Sequence, residues 1–423
     1  MISLSKLYCG AQSSSDGLRY GHGRASDPAS MRPRTAAERR PIVVWNITRT
    51  CNLRCIHCYT DSEAKAYTGE LSTADGFSLL RDLAEFQVPA VLFSGGEPLV
   101  RKDLFELVGY ARSLGLRPTL STNGTLISPE VALRIKNAGF TYVGISLDGI
   151  GPVNDCFRGV SGAFEKALNA FRYCRRVGQR VGLRLTLTRH NVENLHGIFD
   201  LVEREDINRV CFYHLVYSGR GRSIQGDDLT LAETRAALDV ILDRTADFHR
   251  RGLDKEILTV DNHVDGPYLY LRLLREDSAR AREVLNLLRW NGGGTYSSGV
   301  GIANVDFNGN VHADQFWMHR SFGNVRERPF SEIWMDTTDP IMAGLKHRRP
   351  LLKGRCGRCR FQEACGGALR VRADLVHGDP WAPDPACYLT DEEIGLTAAD
   401  LAEMAAAGES FPSPLAAKET THA

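Results

Sequence analysis

The sequence predicts an α/β fold built on a parallel sheet, open or closed into a barrel, from three observations. Short apolar runs alternate with longer stretches of helical periodicity. The links between them are short, as successive βα units require. Polar, Gly-rich loops fall just after the apolar runs, at the strand ends where such sheets gather their chemistry.

Residues 1–40 are rich in Gly, Ser, Arg and Pro with little periodicity, and read as an irregular arm. From Pro41 onward, apolar runs predict strands at Ile42–Trp45, Ala90–Phe93, Arg117–Leu120, Tyr142–Ser146, Gly182–Leu187 and Val210–His214. Between them, apolar residues at helical spacing predict helices over Thr73–Glu85, Lys102–Leu114, Pro129–Asn137, Ala163–Val177 and Leu195–Glu205. A long helix, Leu231–Arg250, follows the last strand, and Asp261–Arg275 leads into another ending near Trp290. The texture changes at Gly292–Gly301. Ile302–His312 reads as a hairpin turning at Asn308-Gly309, and Leu396–Ala407 as a terminal helix. The expected regions are an arm at 1–40, a barrel with following helices at 41–295, and a loop-rich extension at 296–423.

At 423 residues the chain is too long for one small domain. Apolar content of 43% and charged content of 24% are those of a globular protein. A net charge of +1 supplies no field to hold nucleic acid or an acidic membrane surface. No apolar run reaches bilayer length, and the amino-terminal stretch lacks the apolar region of a secretory signal. A cytoplasmic location is expected, with no nucleic-acid partner and no membrane span.

Eleven cysteines in such a chain are more readily ligands or catalysts than disulfides. Cys51, Cys55 and Cys58 form a C-x3-C-x2-C run just after the first strand. Three thiolates can hold three corners of a 4Fe–4S cube and leave one iron open, whereas a closed zinc site takes four ligands. Cys356, Cys359 and Cys365 form C-x2-C-x5-C, followed by Cys387. Four thiolates suit a fully ligated cluster or zinc, and spacing does not separate these. Cys174 and Cys211 are expected to be buried apolar thiols. The loops SGGEP (Ser94–Pro98), STNG (Ser121–Gly124) and SLDG (Ser146–Gly149) follow the next three strands. A structural zinc knuckle has no reason to share a sheet edge with them, so the Cys51 loop is read as an active site.

With these motifs at successive strand ends, residues 41–215 resemble the partial (β/α)6 barrel of the radical S-adenosylmethionine (SAM) enzymes. The resemblance implies that Cys51, Cys55 and Cys58 ligate a catalytic 4Fe–4S cluster. It implies that Gly95, Gly96 and Glu97 receive the SAM amino group, and Ser146 and Asp148 its ribose. His57 stands where many members carry an aromatic residue. The carboxy-terminal cysteines resemble the SPASM/twitch extension, which binds auxiliary clusters. Asp314 and Leu369 stand where a second one would need cysteines, so one auxiliary 4Fe–4S cluster is expected.

Thr259–Tyr270 (TVDNHVDGPYLY), Trp290–Ser298 (WNGGGTYSS) and Trp381–Tyr388 (WAPDPACY) are similar to the tetrapyrrole-modifying branch. That similarity implies removal of the two acetate arms of 12,18-didecarboxysiroheme through a 5′-deoxyadenosyl radical, giving iron-coproporphyrin III. A ferredoxin or flavodoxin would donate electrons. The sibling activity, in haem d1 assembly, replaces propionates of the same substrate with oxo groups. Peptide maturation is the rival class, but residues 1–40 are too short and Gly/Ser-rich for its usual leader-recognition domain. For an iron macrocycle with several carboxylates, Arg220, Arg222, Arg370 and Arg372 are the expected carboxylate partners. His263, His312 and His214 are the expected axial ligands.

Overall fold

A computed structural model describes residues 1–13, 15–21, 35, 36 and 38–415. Among the described residues ten strands form one sheet. They are β1 (Ile2–Ser3), β2 (Ile42–Asn46), β3 (Val91–Ser94), β4 (Pro118–Thr122), β5 (Tyr142–Ser146), β6 (Val181–Leu187), β7 (Arg209–His214), β8 (Glu256–Val260), β9 (Ile302–Val305) and β10 (Val311–His312). Their order is β1-β8-β7-β6-β5-β4-β3-β2-β9-β10. The pairings from β8 through to β9 are all parallel, while β1 and β10 pair antiparallel at the two edges. The edges do not pair with each other, so the barrel is partial.

The six expected strands are β2 to β7, each beside its sequence neighbour. Strands covered on both faces need unbroken apolar runs, and Val43, Val44 and Trp45 of β2 are all buried. The crossover helices pack on the outside. Thr73–Glu85 starts in a capping box made by Ser72 and Asp75 and buries Leu79, Leu80 and Leu83. Leu195–Arg204 turns Ile198, Phe199, Leu201 and Val202 inward. Asp277 ends the helix Asp265–Glu276 and caps the next, Ser278–Asn291, by accepting from the amides of Ala279 and Arg280.

The sheet is larger than expected at both ends. Strand β8 continues it beyond β7, with Val210 opposite Ile257. Strand β9 forms the expected hairpin with β10, but it also lies parallel on β2, with Val43 opposite Ala303. The extension therefore begins inside the barrel sheet. The start of the chain is not irregular either. Ile2 pairs with Thr259, a short helix spans Leu4–Leu7, and Ile2, Leu4 and Leu7 are fully buried. Their apolar side chains, too few to make a periodic signal, close the open flank of the sheet against β8. Most of the remaining arm lies outside the described residues. Farther on, Arg235 ion-pairs with Glu393 at 2.8 Å and Asn262 Nδ2 donates to the Ala386 carbonyl at 3.0 Å, tying the extension to the barrel.

Candidate active site

A cavity of about 1070 Å³ opens at the carboxyl ends of the parallel strands. Its wall takes Cys51, Cys55 and Cys58 from the loop after β2, Gly95 and Gly96 from β3, and Asn123 from β4. Ser146 and Asp148 come from β5, Arg184 and Thr186 from β6, Tyr213 and His214 from β7, and Asp261 from β8. Gln315 and Phe316 of the extension complete it.

The cysteine loop has no secondary structure of its own, and its neighbours hold it. The amides of Arg54 and Ile56 donate to the carbonyls of Arg158 and Phe157, at 3.2 and 3.0 Å. Arg220 donates its amide to the Cys58 carbonyl at 2.9 Å and its Nε to the Cys55 carbonyl at 2.8 Å. Glycines from two further loops press on the same backbone. A Cβ at Gly159 would lie 2.6 Å from the Arg54 carbonyl oxygen, and one at Gly219 would lie 2.5 Å from the carbonyls of Cys58 and Tyr59. Burial pushes the Cys51 thiol up to about 12 and raises Cys55 as well, against the pull of Arg158. Arg158 Nη1 lies 3.6 Å from the Cys55 sulfur.

Gly95 and Gly96 are required by this packing. Side chains there would strike the carbonyls of Thr48 and Thr50, the backbone that leads into the cysteines. Glu97 departs from expectation. It is fully buried and absent from the cavity wall. Its carboxylate accepts from Thr122 Oγ1 and the Asn123 amide, both at 2.8 Å, and from the Leu99 amide at 3.1 Å. A carboxyl so engaged ties the STNG loop to the GGE loop. Ser146 and Asp148 do reach the wall. Asp148 accepts from the Thr186 amide at 2.7 Å and ion-pairs with Arg158.

Of the seven residues expected to hold substrate, only His214 lines the cavity. Its Nε2 lies 3.0 Å from Asp265 Oδ2, and Asp265 also accepts from the Tyr388 hydroxyl at 2.7 Å. His312 lies off the wall with both nitrogens engaged, Nδ1 with the Arg320 carbonyl at 2.7 Å and Nε2 with Asp306 at 3.2 Å. His263 is buried off the wall, and burial holds it well below the usual imidazole range. Arg220 is spent on the cysteine loop and on Asp61 at 2.7 Å, while Arg222 is exposed and off the wall. Arg370 is fully buried and donates to the carbonyls of Pro380, Ala382 and Gly367. Arg372, equally buried, pairs with Asp384 at 3.0 Å and donates to the carbonyl of Asp261 at 2.8 Å. The last two are structural: their acceptors lie in loops folded around them, and only Arg370 Nε is left without one.

The wall contains Asn123 of the STNG loop and four residues that sequence reasoning passed over: Arg158, Arg184, Tyr213 and Asp261. A signal existed for one of them. In LRLTL, Arg184 and Thr186 alternate with leucines, and that period marks a polar inner face. Asp261 adopts φ +66, its carbonyl held by Arg372. Burial beside Asp314 pushes its carboxyl up to about 6.

Cys356, Cys359, Cys365 and Cys387 surround a second cavity of about 470 Å³, whose wall joins apolar Val264, Pro267, Phe361 and Leu389 to Arg355, Gln362 and Asp384. Asp314 is closed off by Ser298 and by the Phe316 amide at 2.8 Å. Leu369 packs with Trp317, Val216 and Leu345. The positions where further cysteines would sit are filled.

The profile of the radical SAM superfamily matches residues 45–202. An Fe-coproporphyrin III synthase from Methanosarcina barkeri is 54% identical over 93% of this chain and 99% of its own. The chain belongs to the radical SAM superfamily, in its haem-modifying branch. Like other radical SAM enzymes, it uses SAM and a 4Fe–4S cluster. A pre-heme d1 synthase from Dinoroseobacter shibae is 45% identical over 86% of this chain and 89% of its own. Among solved structures, Streptococcus suis SuiB bound to S-adenosylmethionine shares the radical SAM fold, with TM-score 0.65 and 18% identity over 83% of this chain and 78% of its own. Among the described residues no helix is long and apolar enough to cross a membrane.

Proposed function

We propose that this enzyme removes the two acetate arms of 12,18-didecarboxysiroheme to give iron-coproporphyrin III. The observation that carries the reading is the 54% identity, over nearly the full length of both chains, to an Fe-coproporphyrin III synthase. In this reading Cys51, Cys55 and Cys58 ligate the catalytic cluster, and the iron they leave open takes SAM. When bound, SAM and this cluster supply a 5′-deoxyadenosyl radical.

The chain's own residues bind, orient and exclude water. Ser146 and Asp148 hold the ribose from the end of β5, while Gly95 and Gly96 bring backbone close to the amino-acid part of SAM. His214, oriented by Asp265, is the imidazole that faces the substrate iron. Cys356, Cys359, Cys365 and Cys387 hold one auxiliary 4Fe–4S cluster. Four thiolates can ligate all four irons of such a cube. A ferredoxin or flavodoxin supplies the electrons.

The test is product mass after anaerobic incubation of reconstituted enzyme with SAM, reductant and 12,18-didecarboxysiroheme. Loss of two acetate arms is expected. Oxo groups in place of propionates would assign the chain to the pre-haem d1 activity instead.

A further inference from the structure

We propose that Arg184 is the carboxylate-binding residue of the substrate cavity and takes an acidic arm of the tetrapyrrole. The inference rests on the function proposed above and names how its substrate is held. Arg184 leaves β6 and crosses the inner face of β5, where glycine at 144 makes room: a Cβ there would lie 2.7 Å from Arg184 Cδ. Its guanidinium reaches Ser121 Oγ on β4 and stacks on the ring of Tyr213 on β7, 4.9 Å from the centroid. The side chain thus lies flat across four neighbouring strands, as part of the cavity wall.

What it lacks is a direct anionic partner. Among the described residues no carboxylate forms an ion pair with Arg184; Asp261, on the same cavity wall, acts on it only through space. Its neighbours differ. Arg209 stacks on Tyr142 in the same way but has Glu256 at 3.4 Å, and Arg158, on the same wall, is paired with Asp148. A guanidinium drawn out of water is costly unless an anion meets it. Its planar fork, fixed here by Ser121 and Tyr213, is built to take both oxygens of a carboxylate.

Two ligands of the reaction carry carboxylates, SAM and the tetrapyrrole. Arg158, beside Cys55, is the cation near the catalytic cysteines. Arg184 stands opposite Ser146 in the sheet, but its side chain runs to Ser121 and Tyr213, and among the described residues it has no contact with Cys51, Cys55 or Cys58. That placement favours the substrate over the methionine carboxylate.

The test uses anaerobically reconstituted full-length enzyme without reductant, titrated with iron-coproporphyrin III and followed at the Soret band. SAM binding is measured in parallel by equilibrium dialysis. Arg184→Gln should weaken tetrapyrrole binding by about tenfold or more, Arg184→Lys by less, and neither should change SAM affinity. The wild type should lose affinity equally for the tetramethyl ester of the same tetrapyrrole, a measurement independent of how the variants fold. Weakened SAM binding with tetrapyrrole affinity retained would assign the carboxylate to SAM and overturn the proposal. Equal wild-type affinity for acid and ester, or no change in R184Q, would overturn it while leaving the proposed function standing. No Soret change with the wild type would overturn both together.

Discussion

Glu97 sits fully buried among three donors, yet burial outweighs them and pushes its carboxyl up to about 7, from 4.5 in the unfolded chain. The folded chain therefore keeps a proton that the unfolded chain releases. The stabilisation this gives is complete below pH 4.5 and is lost as pH rises to about 7, a swing of roughly 3 kcal/mol. Glu97→Gln removes the titration. Denaturant unfolding at a series of pH values should show wild-type stability falling relative to E97Q across that window, and constant outside it. Parallel curves would mean that the carboxyl is charged throughout. Arg372 offers a second measurement. Arg372→Met leaves Asp384 buried without its cation, at a cost of about 3–5 kcal/mol. The double variant R372M/D384N should recover part of the lost stability in the same assay, because the side-chain amide oxygen still accepts from the Leu369 or the Ala386 amide and carries no buried charge.

The cysteine loop is an element shaped by others, and Arg220 does the most among side chains, through the Cys55 carbonyl, the Ser62 carbonyl and Asp61. Arg220→Gln should lower the iron bound after reconstitution by about half or more, since several bonds worth about 1 kcal/mol each are lost together. Iron assay alongside circular dichroism checks this, and full iron loading in R220Q would show that the glycine contacts suffice. The same residue marks the limit of what was legible beforehand. Strands such as Val43–Trp45 were readable because burial on both faces leaves an unbroken apolar run. That the cysteine, SGGEP, STNG and SLDG loops would meet at one cavity was readable because loops after parallel strands share one sheet edge. Arg220 also lay in such a loop, but its partners come from a segment far earlier in the chain, and local pattern carries no trace of them. His312 misled in the same way, its Asp306 and Arg320 partners being set by the hairpin's tertiary fold. β1, only two residues long, and β9, outwardly one arm of a hairpin, reveal their sheet partners only once β8 and β2 are in place.

At the scale of the molecule, one sheet and one main apolar core join two separate cysteine cavities. Cys359, Cys365 and Cys387 pack against that core beside Phe361 and Ala364, whereas Cys51 and Cys55 belong to a small cluster with Leu53 and Ala163. Burial pushes Cys359 up to about 11 and Cys387 to about 12, so without metal these thiols stay neutral near pH 7. Cluster binding must then release protons and becomes tighter as pH rises. Because the two cavities share no wall residue, loading at one should not require the other. Cys356→Ala with Cys359→Ala should lower iron from about eight to about four atoms per chain. The apolar core beside the emptied cavity should loosen, lowering the unfolding temperature by a few degrees. Deoxyadenosine formation from SAM under dithionite should persist in this variant, because Cys51, Cys55 and Cys58 keep their clamps. If deoxyadenosine formation disappears while four irons remain, the two centres depend on each other through the β7 and β8 ends that Arg372 binds, and the separation of the cavities is not a separation of function.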